Sequence, residues 1–256
     1  FHLAQDSGTA VEDGIVIEDS KGNQFVWIPV GTYQTSGGAK SNELSRRTFT
    51  SSGSSSTYGD GVLEQNYYGE GDTRSVAKDQ ISAFKTSVSE NGGFYIGRYE
   101  QGAGNVCKRE ASPMTNVTRD TAKTAAEELY SGDSYVVSEL ISSYAWDTAL
   151  NFICQTNDDG YTLATTTDQS YGNIGTGSVQ NTGAYEADNY SNIHDFLGNC
   201  YEWTTEYSSY TRSSNAYPCV YRGGNYYFSD DYAAYRSSTS TSGAVRISFR
   251  VQLYVK

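Results

Sequence analysis

Histidine and cysteine are the side chains that most often act in catalysis or bind metal ions, and the chain has two histidines and four cysteines. His2 adjoins the first residue, so a triad of serine, histidine and aspartate would depend on His194. The adjacent Asp195 is poorly placed to orient the imidazole of its own neighbour. We therefore expect His194 to be a surface or structural histidine. The sequence contains no Walker-type phosphate loop, HExxH motif or CxxC motif.

The four cysteines are too far apart in sequence to form a closely spaced chelating pair. Cys200 and Cys219 flank one loop, and a disulfide between them would stabilise the fold by about 3 kcal/mol. This pair is the favoured disulfide, and four buried thiols are the alternative. Cys107 and Cys154 could pair only if a helical hairpin brings them together.

The composition and charge of the chain favour recognition over catalysis. It has 256 residues, of which 37% are hydrophobic, and this predicts one large folded domain. The formal net charge of -12 repels nucleic acid phosphates, so we expect no nucleic acid partner. The longest apolar stretch, at residues 25–30, is far shorter than the roughly 20 residues of a membrane span. The 23 tyrosines are typical of a binding surface.

Hydrophobic periodicity predicts an α+β fold with an antiparallel sheet, two helices and much irregular loop. A β-hairpin is expected at residues 14–30 and a strand at 92–100. The helices are expected at 119–130, after the N-cap Thr118, and at about 139–153, with no helix beyond Gln155.

The same pattern predicts one domain without internal repeats. Residues 1–13 are expected to form an N-terminal tail, and residues 14–256 the single domain. Residues 35–72 are rich in serine, glycine, threonine and asparagine, which predicts a surface insertion partly ordered by Tyr67 and Tyr68.

Three short motifs follow one another in the second half of the chain. Residues 192–203 read NIHDFLGNCYEW, residues 221–224 read YRGG, and residues 247–251 read ISFRV. They resemble the formylglycine-generating (sulfatase-modifying) enzyme family. Upstream similarities to that family follow in the same order, at residues 92–100, 113–122 and 144–153. The resemblance covers most of the predicted domain and implies a C-type-lectin-like fold.

The resemblance does not extend to the catalytic residues of that family. Its enzymes carry two cysteines shortly after the RGG motif, and these bind copper as thiolates. Phe228 and Ala233 occupy the matching positions, and neither side chain can ligate a metal ion. We therefore expect no enzymatic activity, with an active copper-dependent formylglycine-generating enzyme as the least favoured alternative.

Residues 226–246 read YYFSDDYAAYRSSTSTSGAVR, a run of aromatic and small polar residues without aliphatic alternation. Such a string cannot build a packed core. It resembles the variable regions of diversity-generating retroelement proteins, which use the same lectin-like fold. In those proteins, adenine-directed mutagenesis diversifies exposed positions near the C terminus. The resemblance assigns residues 222–250 as a variable region.

The genetic code offers a check on that assignment. Randomising both adenines of an AAY asparagine codon gives many amino acids, but never Lys, Glu, Gln, Met or Trp. All five residue types occur elsewhere in the chain, but none occurs at residues 207–251. The gap favours a diversified segment.

Within this segment, aromatic and small polar residues are the expected ligand contacts. The predicted variable positions are Tyr226, Tyr227, Phe228, Ser229, Asp230, Asp231, Tyr232, Ser237, Ser238, Thr239, Ser240, Ala244, Val245 and Arg246. The predicted framework positions are Arg222, Gly223, Gly224, Tyr235, Arg236, Phe249 and Arg250. The alternative for the tyrosines is an aromatic cross-strand ladder that stabilises a sheet.

Members of the formylglycine-generating family often bind calcium through the loop that matches residues 192–203. The resemblance implies Asp195 and Glu202 as carboxylate ligands here, with backbone carbonyls near Gly198 and Cys200. No other cofactor is expected. In the alternative, Glu202 accepts hydrogen bonds from backbone amides of its own loop.

The resemblance implies a display protein whose variable region binds a macromolecular ligand, a protein or another cell-surface target. Retroelement variable proteins occur on phage virions or bacterial surfaces, so either location is expected. The alternative is a carbohydrate- or protein-binding relative of the sulfatase-modifying enzymes with fixed specificity. The chain lacks the EPN and QPD motifs of calcium-dependent sugar sites.

Overall fold

Short strands and four α-helices make up the part of the chain that the structure describes. A computed structural model gives the positions of residues 1–57, 73–207, 219–240 and 242–256. In chain order the strands are β1 (His2–Leu3), β2 (Val16–Glu18), β3 (Gln24–Pro29), β4 (Gly31–Thr35), β5 (Gly38–Asn42), β6 (Arg47–Thr50), β7 (Gly53–Thr57), β8 (Gly93–Gly97), β9 (Val136–Leu140), β10 (Asn189–Tyr190), β11 (Ile193–His194), β12 (Tyr201–Tyr207), β13 (Cys219–Arg222), β14 (Arg236–Thr239), β15 (Ile247–Phe249) and β16 (Val251–Val255). The helices are α1 (Thr73–Asn91), α2 (Arg119–Glu128), α3 (Ser143–Thr156) and α4 (Thr162–Thr165). No helix in these ranges is long and apolar enough to cross a membrane.

A six-stranded antiparallel sheet lies at the centre of the fold, with the strand order β1-β2-β3-β8-β16-β9. The predicted hairpin at 14–30 is confirmed, because β2 and β3 pair with Val16 opposite Val26. Asp19 forms the turn by accepting hydrogen bonds from the backbone N–H groups of Lys21 and Asn23, each at 2.8 Å.

The two faces of this sheet cover separate cores, because alternate residues of a strand point to opposite sides. On one side, Ile28 and Phe94 pack with α1 and α3, and the rings of Phe84 and Phe94 are 5.2 Å apart. On the other side, Phe25 lies in a second core that also contains Trp203 and Phe249. The second core joins the central sheet to the C-terminal strands.

Those C-terminal strands form a four-stranded sheet in the order β14-β13-β12-β15. β13 pairs with β12 and β14 in the expected antiparallel sense, but β12 and β15 are parallel, with Trp203 opposite Phe249. The α+β class and the mainly antiparallel pairing are confirmed.

Helix α2 is confirmed within two residues of its predicted end, with the Thr118 hydroxyl accepting from the N–H of Thr121 at 3.0 Å. The predicted start of the next helix was wrong. Glu139 lies in β9, and α3 begins only after Ser142, whose hydroxyl accepts from the N–H of Ala145 at 3.1 Å.

Two described helices were not expected. Helix α1 buries Ile81, Phe84 and Val88 on one side, a helical spacing that was readable in the sequence. The single turn α4 lies beyond Gln155, where no helix was expected. The expected count of two helices was therefore too low.

The N-terminal residues and the expected insertion are both attached to the domain. β1 pairs with β2, and Ala4 is buried, so residues 1–13 do not form a free tail. Asn42 and Arg46 are also buried, so the described part of residues 35–72 is only partly at the surface. Residues 58–72, with Tyr67 and Tyr68, lie outside the described ranges.

Candidate ligand-binding face

The loop at residues 225–231 follows β13 and is fixed by one asparagine. The side-chain oxygen of Asn225 accepts hydrogen bonds from the backbone N–H groups of Tyr227 at 2.8 Å and Phe228 at 3.1 Å. Its amide nitrogen donates to Asp231 at 3.2 Å. Asn225 is buried, so these bonds are shielded from water. The asparagine therefore fixes the backbone of the loop and leaves the side chains of Tyr227 and Phe228 exposed.

Backbone hydrogen bonds attach the same loop to two neighbouring segments. The N–H of Gly177 donates to the carbonyl of Tyr226 at 2.7 Å, and the N–H of Gly175 donates to the carbonyl of Asn225 at 3.0 Å. The N–H of Tyr226 donates to the carbonyl of Asn199 at 2.9 Å. A side chain at Gly175 would place its Cβ 2.7 Å from the Cβ of Ser229, and Gly175 also has a positive φ. Hydrogen bonds between backbone groups do not depend on which side chains the loop carries.

Three large apolar side chains are exposed beside one arginine at this end of the molecule. Tyr227, Phe228 and Val245 are 57%, 41% and 59% exposed. The guanidinium carbon of Arg246 lies 4.3 Å from the ring centroid of Tyr227 and 5.0 Å from that of Phe228. We call these four residues the aromatic patch. It joins two separate parts of the predicted variable region through cation–π contacts.

Comparison with solved structures identifies the fold. Treponema denticola variable protein 1 is similar at a TM-score of 0.52 and 11% identity, and the match covers 93% of this chain and 97% of that one. The chain has the C-type-lectin-like fold. The fold was predicted from the motif resemblance, and this prediction is confirmed.

Two other solved structures show weaker likeness to this lectin-like fold. CarF matches at a TM-score of 0.48 and 16% identity, over 64% of this chain and 87% of CarF. The Major Tropism Determinant U1 variant matches at 0.37 and 13% identity, over 91% of this chain and 64% of that one. No family model and no curated protein matches the chain.

The predicted variable positions fall into three classes of exposure on the lectin-like fold. The exposed ones are Tyr227, Phe228, Ser229, Asp230 and Val245. The half-buried ones are Tyr226, Tyr232, Ser237, Ser238, Thr239, Ser240, Ala244 and Arg246. One prediction was wrong, because Asp231 is only 6% exposed. Its carboxylate accepts hydrogen bonds from the Tyr201 hydroxyl and from the Asn225 amide, so Asp231 helps to hold the loop at 225–231 in place.

The alternative of an aromatic ladder describes some of the tyrosines. The rings of Tyr201 and Tyr221 are 4.6 Å apart, and Tyr235 lies 6.3 Å from Tyr221. Tyr232 contacts Tyr235 at 6.0 Å. Tyr232 therefore packs partly against the four-stranded sheet, whereas Tyr227 contacts only the other members of the aromatic patch among the described ring contacts.

The predicted framework residues lie beneath the variable positions. Arg222 donates to Asp147 at 2.6 Å, and Arg236 donates to the other oxygen of the same carboxylate at 2.7 Å. A Cβ at Gly224 would lie 2.4 Å from the Leu197 carbonyl, so only glycine fits there. No local sequence pattern indicates Asp147 as the common partner, because it lies on α3, far from both arginines in the chain.

The structure excludes the favoured disulfide. Cys219 pairs with Tyr207 at the far end of β12, whereas Cys200 precedes the first residue of that strand. A seven-residue strand spans roughly 20 Å, and a disulfide needs Cα atoms less than about 7 Å apart. None of the four cysteines is disulfide-bonded and all four are buried, as in the alternative prediction.

The two positions predicted to match copper-binding cysteines lie in different environments. Phe228 is exposed in the aromatic patch, whereas Ala233 is fully buried in the first core. Burial raises the pKa of the Cys107 thiol to about 11 and that of Cys154 to about 12, which disfavours the reactive thiolate.

The residues predicted to bind calcium do not fit that ion. Both oxygens of the Glu202 carboxylate accept hydrogen bonds from Arg250, at 2.8 to 3.2 Å. Asp195 accepts from the N–H of Gly183 with one oxygen. Calcium takes six to eight oxygen ligands, and no metal-binding group of three or more His, Cys, Asp or Glu side chains occurs among the described residues. The alternative prediction gave Glu202 backbone amides of its own loop as partners, but one of those amides, the N–H of Cys200, donates to Glu100 at 2.7 Å.

His194 is a structural residue. It is buried and stacks on Tyr99 with the ring centroids 4.9 Å apart. Burial, with the guanidinium of Arg98, lowers its pKa to about 3, so the imidazole is neutral at physiological pH. Within the described ranges neither ring nitrogen has a hydrogen-bond partner, so no described carboxylate orients this histidine for catalysis.

Proposed function

We propose that the chain is a ligand-binding display protein whose C-terminal variable region presents the aromatic patch to a macromolecular target. The observation that carries this proposal is the patch itself. Tyr227, Phe228 and Val245 expose apolar surface on a loop whose backbone is held by Asn225 and by glycine N–H groups. Exposed aromatic side chains on a rigid support are the usual anchors of protein interfaces.

Two further observations support diversification of this face. The fold is that of a protein named a variable protein, which it matches over almost its whole length. The exposed positions also lie in the segment that contains no Lys, Glu, Gln, Met or Trp. Buried Arg222 and Phe249 belong to the framework below them.

We propose that the chain has no catalytic activity of the formylglycine-generating type. Phe228 and Ala233 replace the copper-binding cysteines, and the four cysteines present are buried. We further propose a protein or other cell-surface target as the partner, and a virion or a bacterial surface as the location. The formal net charge of -12 argues against nucleic acid.

The DNA that flanks the coding region tests the proposal. We expect a nearby near-copy of the segment encoding residues 222–250, differing only where the copy has adenine, together with a reverse transcriptase gene. The substituted codons should include those of Tyr227, Phe228 and Val245. If no such copy exists, the retroelement part of the proposal is wrong, and the patch is a binding surface of fixed specificity.

A further inference from the structure

Four arginines from separate parts of the chain meet beside helix α3. Arg46 immediately precedes β6, Arg47 begins that strand, Arg222 ends β13, and Arg236 begins β14. We call these four residues the arginine cluster. The side chains of Arg46 and Arg222 have no exposed surface, whereas those of Arg47 and Arg236 are 13% and 17% exposed. The cluster is therefore buried, with one side close to solvent.

Two buried carboxylates, those of Asp147 and Glu206, contact this cluster. Asp147 accepts from Arg222 at 2.6 Å, from Arg236 at 2.7 Å and from the backbone N–H of Arg47 at 2.9 Å. Glu206 accepts from Arg236 at 3.1 Å and lies 3.8 Å from Arg46. Among the described residues, the guanidinium groups of Arg46, Arg222 and Arg236 thus share these two carboxylates, whereas Arg47 contributes only its backbone N–H.

Two other charged groups lie near the cluster in the described part of the chain. The Glu43 carboxylate is 3.7 Å from Arg47, but its side chain is 73% exposed, so water screens this pair. The Lys85 ammonium lies 4.1 Å from the ring centroid of Tyr144, and the Arg46 guanidinium lies 4.6 Å from the same centroid. Lys85 and Arg46 therefore contact the same ring.

Several guanidinium nitrogens of the cluster have no hydrogen-bond partner among the residues that the structure describes. They are Nε and Nη1 of Arg46, Nε of Arg47 and Nη1 of Arg222. An unpaired buried donor is unfavourable, and more so when the group is charged. Burial and the charge of Arg236 lower the pKa of Arg222, as expected where positive charge is in excess. Unpaired, positively charged N–H donors on three arginines are suited to binding an anion, because an anion accepts hydrogen bonds and donates none.

We propose that the arginine cluster binds one small inorganic anion of the halide class, chloride in physiological solution. A halide ion fits because it accepts several N–H donors from any direction and needs little space among buried side chains. Bound there, it would connect β6 to β13 and β14, the strands that support the predicted variable positions. The site is separate from the aromatic patch, so its failure would leave the proposed function intact.

Equilibrium unfolding in different salts tests the site. Urea unfolding of the full chain is measured in sodium bromide or chloride against sodium gluconate at equal ionic strength. Above the dissociation constant, each tenfold rise in halide should raise the folding equilibrium constant about tenfold. The Arg46→Met variant should lose this response. Arg109→Met is the matched control, because Arg109 is exposed and pairs with Glu186 outside the cluster.

Three results would overturn the proposal. One is a wild-type stability that does not depend on halide, another is a response to sulfate or phosphate alone, and the third is an unchanged halide response in Arg46→Met. If that variant does not fold, crystals of the wild-type chain in bromide still decide the question. An anomalous bromide peak in contact with Arg46 and Arg222 is expected, and its absence at saturating bromide would mean that water fills the site.

Discussion

Asp230 and Asp231 are neighbours in the sequence, yet the fold gives them opposite roles. Asp230 is exposed, whereas Asp231 is buried and accepts hydrogen bonds from the Tyr201 hydroxyl and from Asn225. Burial raises the pKa of Asp231. Sequence reasoning treated both as ligand contacts, because nothing in an acidic pair indicates which carboxylate faces the protein.

This difference predicts unequal costs of substitution. Asp231→Ala should lower the free energy of unfolding by about 1 to 3 kcal/mol, because it leaves two donors without an acceptor. Asp230→Ala should change it by less than about 0.5 kcal/mol, as is usual for surface positions. Urea unfolding of the two variants checks this directly. Equal costs would mean that Asp231 does not support the loop.

The buried carboxylate of Glu139 should make the stability of the fold depend on pH. Glu139 accepts from the hydroxyl of Tyr254 at 2.8 Å and from Gln252 at 3.2 Å, and burial raises its pKa to about 7. The pKa of Glu139 is higher in the folded state than in the unfolded state. Its contribution to the free energy of unfolding is therefore complete below about pH 4 and is lost as the pH rises through about 7.

The Glu139→Gln variant isolates this effect, since glutamine keeps the shape without the charge. The wild type should lose about 2 to 3 kcal/mol more than the variant between pH 5 and pH 8. Urea unfolding at several pH values measures the difference. The control is Glu90→Gln, which changes an exposed residue on α1. Parallel pH profiles of wild type and Glu139→Gln would contradict the prediction.

At the scale of elements, the loop at 225–231 depends on few side chains. Its path is set by the Asn225 side chain and by main-chain bonds from Gly175 and Gly177. Main-chain bonds do not depend on which residues the loop carries. A loop built in this way keeps its shape while its exposed residues change.

Removing the asparagine tests how the loop is held. Asn225→Ala should speed amide hydrogen exchange at Tyr227 and Phe228, whose N–H groups lose their acceptor, and should cost about 1 to 3 kcal/mol. Exchange in β8 should change only as far as global stability does. Ser229→Ala, an exposed change in the same loop, is the control. Unchanged exchange at both amides would mean that the glycine bonds alone fix the loop.

The elements that could be predicted from the sequence are those with local signals. The hairpin β2–β3 has alternating residues around a turn, and α2 has its cap at Thr118. The start of α3 was missed because Val136 and Val137 form a strand and the cap lies at Ser142. Helix α1 was missed although Ile81, Phe84 and Val88 have helical spacing.

The candidate site was predictable in type more than in geometry. Composition indicated an aromatic and small-residue face, and Tyr227 and Phe228 are exposed as expected. The contact of Arg246 with these rings joins two loops, and the contact of Arg222 with Asp147 joins a strand to a helix. Such pairings depend on tertiary structure, which no local pattern encodes.

For the whole molecule, the residues of the buried core and those of the proposed binding face are different. Trp203 is fully buried in the second core, and its indole N–H donates to the carbonyl of Val117 at 3.0 Å. The aromatic patch makes no contribution to either core. Replacing exposed residues removes little buried area, so even several changes there should cost less than one change in the core.

The triple variant Tyr227→Ser, Phe228→Ser, Val245→Ser tests this separation against Trp203→Ala. The triple variant loses exposed cation–π contacts of about 0.5 to 1 kcal/mol each, so its total cost should stay below about 2 kcal/mol. Trp203→Ala should cost about 3 to 5 kcal/mol, because it leaves a cavity and an unpaired carbonyl. Urea unfolding measures both free energies, provided that the dependence of the unfolding free energy on urea concentration is the same in the variants as in the wild type. If the triple variant proved the less stable, the patch would belong to the folding core, since a surface reserved for a ligand has little effect on folding.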